Sequence, residues 1–215
     1  MARKGKLIVF EGPEGGGKTT QATLAKDFLE EQGFEVLLLR EPGGTPFGEE
    51  IREILLYRDF DLNPLSQMLF FYAARSEILE KEVRPALAKG IIVIMDRYYL
   101  STFAYQIMGL QAYELREVYG VLNRHVVRET KPDFVFLLDP SDLAEGLRRA
   151  QDGKEELDTY EAKDLDFHQR VCDGFYQVLS QEDVKHLIIN TSKSSKEETH
   201  QKVKTVLAER LGINL

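Results

Sequence analysis

Short runs of apolar residues alternate along this chain with longer amphipathic segments. The apolar runs are bounded by Gly, Pro or Asp, and four of the five lack strict polar alternation, which is typical of strands covered on both faces. These predicted strands cover residues 6–11, 35–40, 91–95, 134–138 and 186–190. The segments between them are long enough for helices and cover residues 18–32, 47–57, 64–89, 111–130, 161–181 and 195–211.

This alternation of strands and helices predicts a doubly wound α/β fold. Strands joined through a helix pair in parallel by right-handed crossovers, so we expect a five-stranded parallel sheet flanked by helices. No internal repeat or low-complexity linker divides the 215 residues, and we expect a single domain over 1–215. The densest polar stretch, residues 151–158, is expected to be a mobile excursion from that domain.

Composition narrows the possible functions. The chain has 28 Lys and Arg against 36 Asp and Glu, a formal net charge of −8. This balance argues against non-specific nucleic-acid binding and against a basic membrane-binding surface. A single cysteine, Cys172, excludes an internal disulfide and a thiolate metal cage. Because we find neither a long apolar run nor a signal-peptide pattern, we expect a cytoplasmic protein without membrane partners.

The strongest motif follows the first predicted strand. Residues 12–19 read Gly-Pro-Glu-Gly-Gly-Gly-Lys-Thr and fit the pattern G-x4-G-K-[ST], between an apolar strand and a helix-forming segment. Glycines let successive backbone N–H groups face phosphate oxygens, and the helix N-terminus adds partial positive charge. The alternative, a glycine-rich turn without a ligand, is disfavoured because the whole motif is in register. The predicted phosphate-binding residues are Gly12, Glu14, Gly15, Gly16, Gly17, Lys18, Thr19 and Thr20.

Two oxygen donors could organise Mg²⁺ beside a bound nucleoside triphosphate. The Thr19 hydroxyl is placed to bind the ion, while Lys18 can reach the β- and γ-phosphates. Asp96 directly follows the third predicted strand, and ligands collect beyond the carboxyl ends of parallel strands. An Asp at a strand end is also common in turns and helix caps, and both interpretations stay open for Asp96 taken alone.

The helical segment 64–89 could contribute to a pocket for a second substrate. A spacing of four places Phe71 and Arg75 on one helical face, where a ring could stack on a base and a guanidinium could bond its edge. The alternative is an aromatic core stripe with Arg75 reaching water, and the pattern alone favours that alternative.

The segment after the third strand is rich in polar side chains. Arg97 could hold an acceptor phosphate in fork geometry. Ser101, Tyr105 and Gln106 could contact a sugar or a base. A surface helix with polar caps explains Ser101 and Thr102 equally well.

Taken together, these segments resemble bacterial thymidylate kinases. The resemblance rests on residues 12–20, on Arg-Glu-Pro-Gly-Gly-Thr at 40–45, on Phe-Tyr-Ala-Ala-Arg at 71–75 and on the segment 96–106. They occur in the family's order and spacing, and the length and strand pattern match over essentially the whole chain. The resemblance implies a P-loop nucleoside-monophosphate-kinase fold with a short lid at about residues 150–162. It further implies transfer of the ATP γ-phosphoryl group to dTMP with Mg²⁺, giving dTDP and ADP, and a homodimer.

The resemblance also implies roles for individual residues. Glu14 would meet the sugar 3′-hydroxyl, Phe71 would stack on thymine and Arg75 would bond its O4. Arg97 would grip the acceptor phosphate, together with Arg52 from the predicted helix 47–57. The implied magnesium ligands are Thr19 and Asp96. The implied catalytic residues are Lys18, Glu14, Arg97, Asp96 and Lys154.

The rest of the implied acceptor site comes from the segment 96–106. Tyr105 would lie against the deoxyribose and exclude a 2′-hydroxyl. Ser101, Thr102 and Gln106 would surround the base.

The chain departs from the family pattern in the lid. Gly15 stands where one branch of the family has an arginine, and its absence points to the branch whose catalytic cations come from the lid. Yet Thr159 stands where members often have an arginine. Arg148 or Arg149 would stack on adenine, and Lys154 would be the closing cation. A merely solvated acidic loop explains this segment equally well.

Three functions therefore stay open, in this order. The first is a thymidylate kinase. The second is a related nucleotide or nucleoside kinase with another pyrimidine acceptor. The third is a non-catalytic P-loop nucleotide-binding module, which only the cation-poor lid supports.

Overall fold

The apolar runs form one parallel sheet in a computed structural model, which describes residues 5–154 and 156–213. The strands are β1 (Lys6–Glu11), β2 (Val36–Arg40), β3 (Ile92–Asp96), β4 (Phe134–Asp139) and β5 (His186–Asn190). Their spatial order is β2-β3-β1-β4-β5, and each neighbouring pair is parallel. The predicted five-stranded parallel sheet is confirmed, and each predicted strand end lies within one residue of the observed one.

Parts of three expectations lie outside the described residues. Residues 1–4 begin the stretch in which we expect no signal peptide, Glu155 falls in the expected excursion, and residues 214–215 end the expected single domain. The organisation as one domain over 1–215 stays a prediction.

Helices pack on both faces of the sheet, because successive strand side chains point to opposite faces. In β1, Leu7 and Val9 belong to the core on one face, whereas Ile8 and Phe10 belong to the other core. The helices are α1 (Lys18–Glu31), α2 (Pro46–Leu56), α3 (Pro64–Ile78), α4 (Arg84–Ala88), α5 (Tyr99–Thr102), α6 (Arg116–Leu122), α7 (Leu143–Gln151), α8 (Leu165–Gln181) and α9 (Lys196–Leu211). Within the described residues, none of these helices has both the length and the apolar character needed to cross a membrane.

Several of the helices continue in irregular turns. Three π-helical turns are Leu79–Val83 between α3 and α4, Phe103–Gly109 after α5, and Asn123–Val127 after α6, and a 3₁₀ turn, Tyr113–Leu115, precedes α6. The helix predicted over 64–89 is therefore one continuous helical stretch. The helix predicted over 111–130 is shorter and irregular.

The hydrophobic pattern does not predict α5 or α7. Helix α7 is short, with three charged residues among nine, and it begins where Asp142 accepts a hydrogen bond from the backbone N–H of Glu145 at 3.0 Å. Helix α5 is only four residues long, and Leu100 and Thr102 within it are buried. The alternative of a surface helix for this segment is therefore wrong, because α5 packs into the core.

The carboxyl ends of the strands place the functional residues at one edge of the sheet. Strand β3 lies between β2 and β1, so Asp96 is level with Arg40 on one side and with Phe10 on the other. The glycine loop leaves β1 directly after Glu11 at the same edge. Residues 152–164, apart from Glu155, connect α7 to α8 without a regular helix, and the lid expected at about residues 150–162 stays a prediction.

Candidate active site

The glycine loop joins β1 to α1 in a conformation that requires glycine. Gly12 and Gly17 have φ angles of 141° and 84°, in the region that side chains disfavour. A Cβ atom on Gly12 would lie 2.2 Å from the carbonyl oxygen of Leu138. Gly17 precedes the first turn of α1, and no side chain caps that turn. The backbone N–H groups of this first turn are therefore available to a ligand, and phosphate oxygens are acceptors that a helix N-terminus binds well.

Lys18 begins α1 and holds its ammonium group against the loop. Its Nζ donates to the carbonyl oxygen of Pro13 at 2.7 Å, and the residue is only 7% exposed. Burial and the positive charge of Arg97 lower the pKa of Lys18 to about 8. Phosphate charge in the loop would favour the charged ammonium, so this environment is suited to an anionic ligand.

Thr19 and Asp96, the two implied magnesium ligands, are in direct contact. The Thr19 hydroxyl donates to Oδ2 of Asp96 at 2.5 Å. Within the described residues, no group of three or more His, Cys, Asp or Glu side chains could hold a metal ion. The two oxygens nevertheless fit Mg²⁺, which in nucleotide sites takes one or two protein oxygens and completes its shell with phosphates and water.

A second cluster joins Glu14, Arg97 and Tyr105. Arg97 Nη2 and the Tyr105 hydroxyl both donate to Oε1 of Glu14, at 2.7 Å and 2.9 Å. The Arg97 guanidinium also lies over the Tyr105 ring, 4.9 Å from its centre. Burial alone would raise the pKa of Glu14, but Arg97 and Lys18 lower it to about 2. Glu14 is therefore an ionised acceptor with one carboxylate oxygen, Oε2, free of this cluster.

Glu11 supports this cluster, although the sequence alone predicts no role for it. Its Oε1 accepts from the backbone N–H of Tyr98 at 2.9 Å, and its Oε2 accepts from the Ser101 hydroxyl at 2.5 Å. It thereby fixes the start of α5 next to Arg97, whose φ of 73° is unusual for a non-glycine residue. Burial raises the pKa of Glu11 to about 7. The only sequence signal was an acidic residue at the end of an otherwise apolar strand.

Arg75 forms a buried ion pair with Glu41. Its Nε and Nη2 both donate to Oε2 of Glu41, at 2.8 Å and 2.6 Å, and Nη1 donates to the Thr102 hydroxyl at 3.1 Å. Arg75 is 1% exposed, so the alternative in which it reaches water is wrong. Oε1 of Glu41 is buried, and no described residue bonds to it. Burial raises the pKa of Glu41, although Arg75 opposes the shift.

One cavity of about 740 Å³ connects the glycine loop to this ion pair. Arg52 stands on its wall and donates from Nη1 to the carbonyl oxygen of Pro42 at 3.1 Å. The predicted site residues on the wall are Glu14, Gly15, Gly17, Lys18, Thr19, Thr20, Arg52, Phe71, Arg75, Asp96, Arg97, Ser101, Thr102, Tyr105, Gln106, Arg149 and Lys154. The predicted residues that do not line it are Gly12, Gly16 and Arg148.

The end of the cavity away from the glycine loop is lined by Phe71, Arg75 and Gln106. It also includes a tyrosine, Tyr160, for which the sequence alone predicts no role. Tyr160 is 5% exposed and its ring lies 6.3 Å from Phe71 and 5.5 Å from Tyr105, measured between centres. Its hydroxyl accepts a hydrogen bond from Nε2 of Gln106 at 2.8 Å. The only sequence signal was an aromatic residue closing a polar stretch.

The three cations near the expected lid occupy different environments. Arg148 pairs with Glu145 on the surface of α7, at 2.8 Å and 2.9 Å, and its side chain is 68% exposed. Arg149 and Lys154 line the cavity, and Lys154 forms an ion pair with the buried Glu161. Glu161 and Tyr160 are buried, whereas residues 152–154, 156 and 157 are exposed, so the alternative of a solvated acidic loop stays open.

Gly15 is in close contact with α7. A Cβ atom on Gly15 would lie 1.7 Å from the carbonyl oxygen of Gly146, so no side chain fits there unless α7 moves. The absence of an arginine at this position is therefore built into the packing between loop and helix.

Comparisons with known proteins agree with this arrangement. A family model for thymidylate kinase matches residues 10–203. The chain is 39% identical over 204 residues to the thymidylate kinase of Chlorobaculum tepidum, which covers 92% of this chain and 94% of the relative. It is 43% identical over 188 residues to that of Gluconobacter oxydans, covering 86% of each chain.

A solved structure gives the same result at the level of the fold. The crystal structure of thymidylate kinase from Ehrlichia chaffeensis superposes with a TM-score of 0.76 at 32% identity, over 94% of this chain and 98% of that one. The resemblance noted in the sequence is thereby confirmed, as is the P-loop nucleoside-monophosphate-kinase fold. The chain belongs to the thymidylate kinase family.

Proposed function

We propose that the cavity binds ATP on the glycine loop and dTMP at its far end, and that the γ-phosphoryl group passes between them beside Arg97. As a member of its family, the chain is an ATP-dependent dTMP kinase that gives dTDP and ADP. The observation that carries the placement of the substrates is the single cavity shared by Lys18, Arg97 and Arg75. Two anions bound at its two ends would meet in its middle.

Catalysis in this cavity would rest on positioning and charge neutralisation, because phosphoryl transfer needs no covalent nucleophile. Lys18 would hold the donor phosphates, while Arg97 and Arg52 would hold the acceptor phosphate. Glu14, ionised at neutral pH, would accept a hydrogen bond from the sugar 3′-hydroxyl through its free oxygen. Its bond to Arg97 would then fix the sugar relative to the phosphate-binding guanidinium.

Mg²⁺ would be held by Thr19 and Asp96. When bound, the ion neutralises charge on the β- and γ-phosphates. The contact between the two side chains supports this assignment, because two oxygen ligands from separate elements already point to the same place. Asp96 would bind the ion either directly or through a water molecule.

The acceptor's sugar and base would occupy the far end. Phe71 would stack on thymine, Arg75 would bond its O4 and Gln106 would face the ring edge. Tyr105 would lie against the deoxyribose and leave no room for a 2′-hydroxyl. Thr102 would act by orienting Arg75, to which it is hydrogen-bonded.

The region around residues 150–162 would serve as a lid over the bound nucleotides. Arg149, which lines the cavity, is better placed than Arg148 to stack on adenine. Lys154 would close over the phosphates after leaving its pair with Glu161.

A homodimer in the cytoplasm is the assembly and location that we propose. Leu65 and Leu69 support the dimer, because they lie four residues apart on one face of α3 and are 40% and 48% exposed, so a second copy could cover them.

A coupled assay of ADP release across dTMP, dUMP, UMP, CMP, AMP and GMP tests the proposed acceptor. We expect the highest kcat/KM with dTMP and little turnover of ribose monophosphates. Equal or better turnover of a purine or a ribose monophosphate would contradict the proposal. Tight ATP binding without transfer to any acceptor would instead indicate a non-catalytic nucleotide-binding module.

A further inference from the structure

A chain of three hydrogen bonds ends at the base end of the cavity. Gln67 Nε2 donates to the carbonyl oxygen of Leu62 at 2.8 Å. The Tyr160 hydroxyl donates to Oε1 of Gln67 at 2.8 Å, and Gln106 Nε2 donates to the Tyr160 hydroxyl oxygen at 2.8 Å. The chain links α3, the connection between α7 and α8, and the π-helical turn after α5.

The direction of these bonds is fixed by the carbonyl group at one end. A backbone carbonyl can only accept, so the group of Gln67 that faces Leu62 must be its amide nitrogen. The Gln67 oxygen then faces Tyr160, and the single hydroxyl proton of Tyr160 must be donated to it. The hydroxyl oxygen is left to accept, and only the amide nitrogen of Gln106 can donate to it.

The chain therefore determines which atom Gln106 offers to a ligand. Its nitrogen is engaged by Tyr160, and no described residue donates to its Oε1. Gln106 is 1% exposed and lines the cavity, so this oxygen is an acceptor held in a place that water barely reaches. Arg75, on the same wall, carries only donors, and Nη1 has a proton beyond the one on Thr102.

An acceptor beside a donor distinguishes between pyrimidines. In thymine and uracil, N3 carries a proton and position 4 is a carbonyl, which matches an acceptor from Gln106 and a donor from Arg75. In cytosine, N3 is an acceptor and position 4 is an amino donor, so each contact would set like against like. A buried polar group left without its partner weakens binding strongly, which makes the amide orientation a source of selectivity.

We propose that Tyr160 and Gln67 are positioning residues that hold the Gln106 amide with its oxygen toward the base, and so select an acceptor whose base has a protonated N3 beside a 4-carbonyl. This proposal rests on the proposed function, because it places the base of the acceptor between Phe71 and Gln106. Gln67 is not on the cavity wall and acts only through Tyr160 and Gln106.

The test compares Tyr160→Phe and Gln67→Met with the unsubstituted enzyme, using dTMP and dCMP as acceptors at saturating ATP. Tyr160→Phe keeps the ring that packs against Tyr105 and removes only the hydroxyl. Gln106 is then free to turn, and we expect kcat/KM for dTMP to fall about tenfold, mainly through KM. The KM for ATP is expected to stay unchanged.

Gln67→Met makes a sharper prediction. The Tyr160 hydroxyl loses its acceptor and can donate instead to Oε1 of Gln106, which turns the amide nitrogen toward the base. We expect kcat/KM for dCMP to rise while that for dTMP falls, so that the ratio of the two drops by about tenfold or more. A purely structural role for Gln67 would lower both values together and leave the ratio unchanged.

Tyr176→Phe is the matched control. This substitution also removes a hydrogen-bonded hydroxyl, the one that donates to Asp139 at 2.6 Å, but Tyr176 is 42% exposed and lies off the cavity wall. We expect its ratio of dTMP to dCMP to equal that of the unsubstituted enzyme. An unchanged ratio in both Tyr160→Phe and Gln67→Met overturns the positioning role and leaves the proposed function intact. An unsubstituted enzyme that fails to phosphorylate dTMP overturns the proposed function itself.

Discussion

The phosphate end and the base end of the cavity are built in opposite ways. The phosphate end is built around the glycine loop, one contiguous segment, residues 12–19, whose backbone leaves the first turn of α1 without a side-chain cap. The base end is assembled from side chains that lie far apart in sequence, and each depends on a partner: Arg75 on Glu41, and Gln106 on Tyr160. A local motif can be recognised from the sequence alone, whereas contacts between distant side chains form only when the chain has folded.

This difference predicts that the two ends fail differently when a side chain is removed. Loss of a charge at the phosphate end should abolish chemistry and spare the fold. Loss of a partner at the base end should affect stability and acceptor binding.

The largest effect is expected for Lys18→Met. The substitution removes the only side chain on the glycine loop that carries a positive charge to the donor phosphates, and we expect kcat to fall by about 10³-fold with dTMP and ATP. Steady-state kinetics and thermal unfolding measured together check this. Lys26→Met on the same helix is the control, because Lys26 lies off the cavity wall and forms an ion pair with the exposed Glu30. A loss of stability that parallels the loss of kcat would show that the two ends do not differ as described.

Glu41→Gln is expected to act mainly on stability. It leaves the Arg75 guanidinium buried without a countercharge, and breaking such a pair from one side costs about 3–5 kcal/mol of unfolding free energy. Denaturant unfolding measures the loss, and the same preparation should show a raised KM for dTMP with a nearly unchanged KM for ATP.

The exposed pair of Arg148 with Glu145 provides the contrast for that experiment. Glu145→Gln should change the unfolding free energy by less than about 1 kcal/mol, because exposed ion pairs contribute little. If Glu41→Gln and Glu145→Gln lowered the free energy of unfolding by similar amounts, burial would not explain how much the pair of Arg75 and Glu41 contributes to stability.

What could be predicted from the sequence follows the same division. Each strand was predicted within one residue because it is a short apolar run bounded by other residue types; β1, β3 and β4 are mostly buried, whereas the edge strands β2 and β5 are partly exposed. The glycine loop was predicted because its residues are adjacent in sequence. The pairing of Arg75 with Glu41 spans 34 positions, and the local pattern favoured the opposite environment for Arg75. Tyr160 was passed over because it closes a polar stretch, although three aromatic rings and two glutamines surround it. Helix α7 was missed because it has only nine residues, of which Leu143 and Leu147, four positions apart, are the two large apolar ones.

The smallest effect concerns the expected lid at about residues 150–162, from which Lys154 reaches the cavity wall. Lys154 lines the cavity and is neutralised by Glu161, so its charge becomes useful to a phosphate only when that pair opens. Because it must exchange one carboxylate for one phosphate, its net gain is modest, and we expect Lys154→Gln to lower kcat by about tenfold. Arg148→Gln is the matched substitution outside the cavity and should leave kcat unchanged.

The two lid variants also separate a catalytic lid from a packing segment. If residues 152–164 close only by burying Tyr160 and Glu161, Lys154→Gln should lower stability and leave kcat near its original value. If Lys154 reaches the phosphates, kcat should fall while the KM for dTMP barely moves, because the base end keeps its own network through Tyr160. The opposite split, a raised KM for dTMP with an unchanged kcat, would place Lys154 at the base end and remove the separation between the two ends.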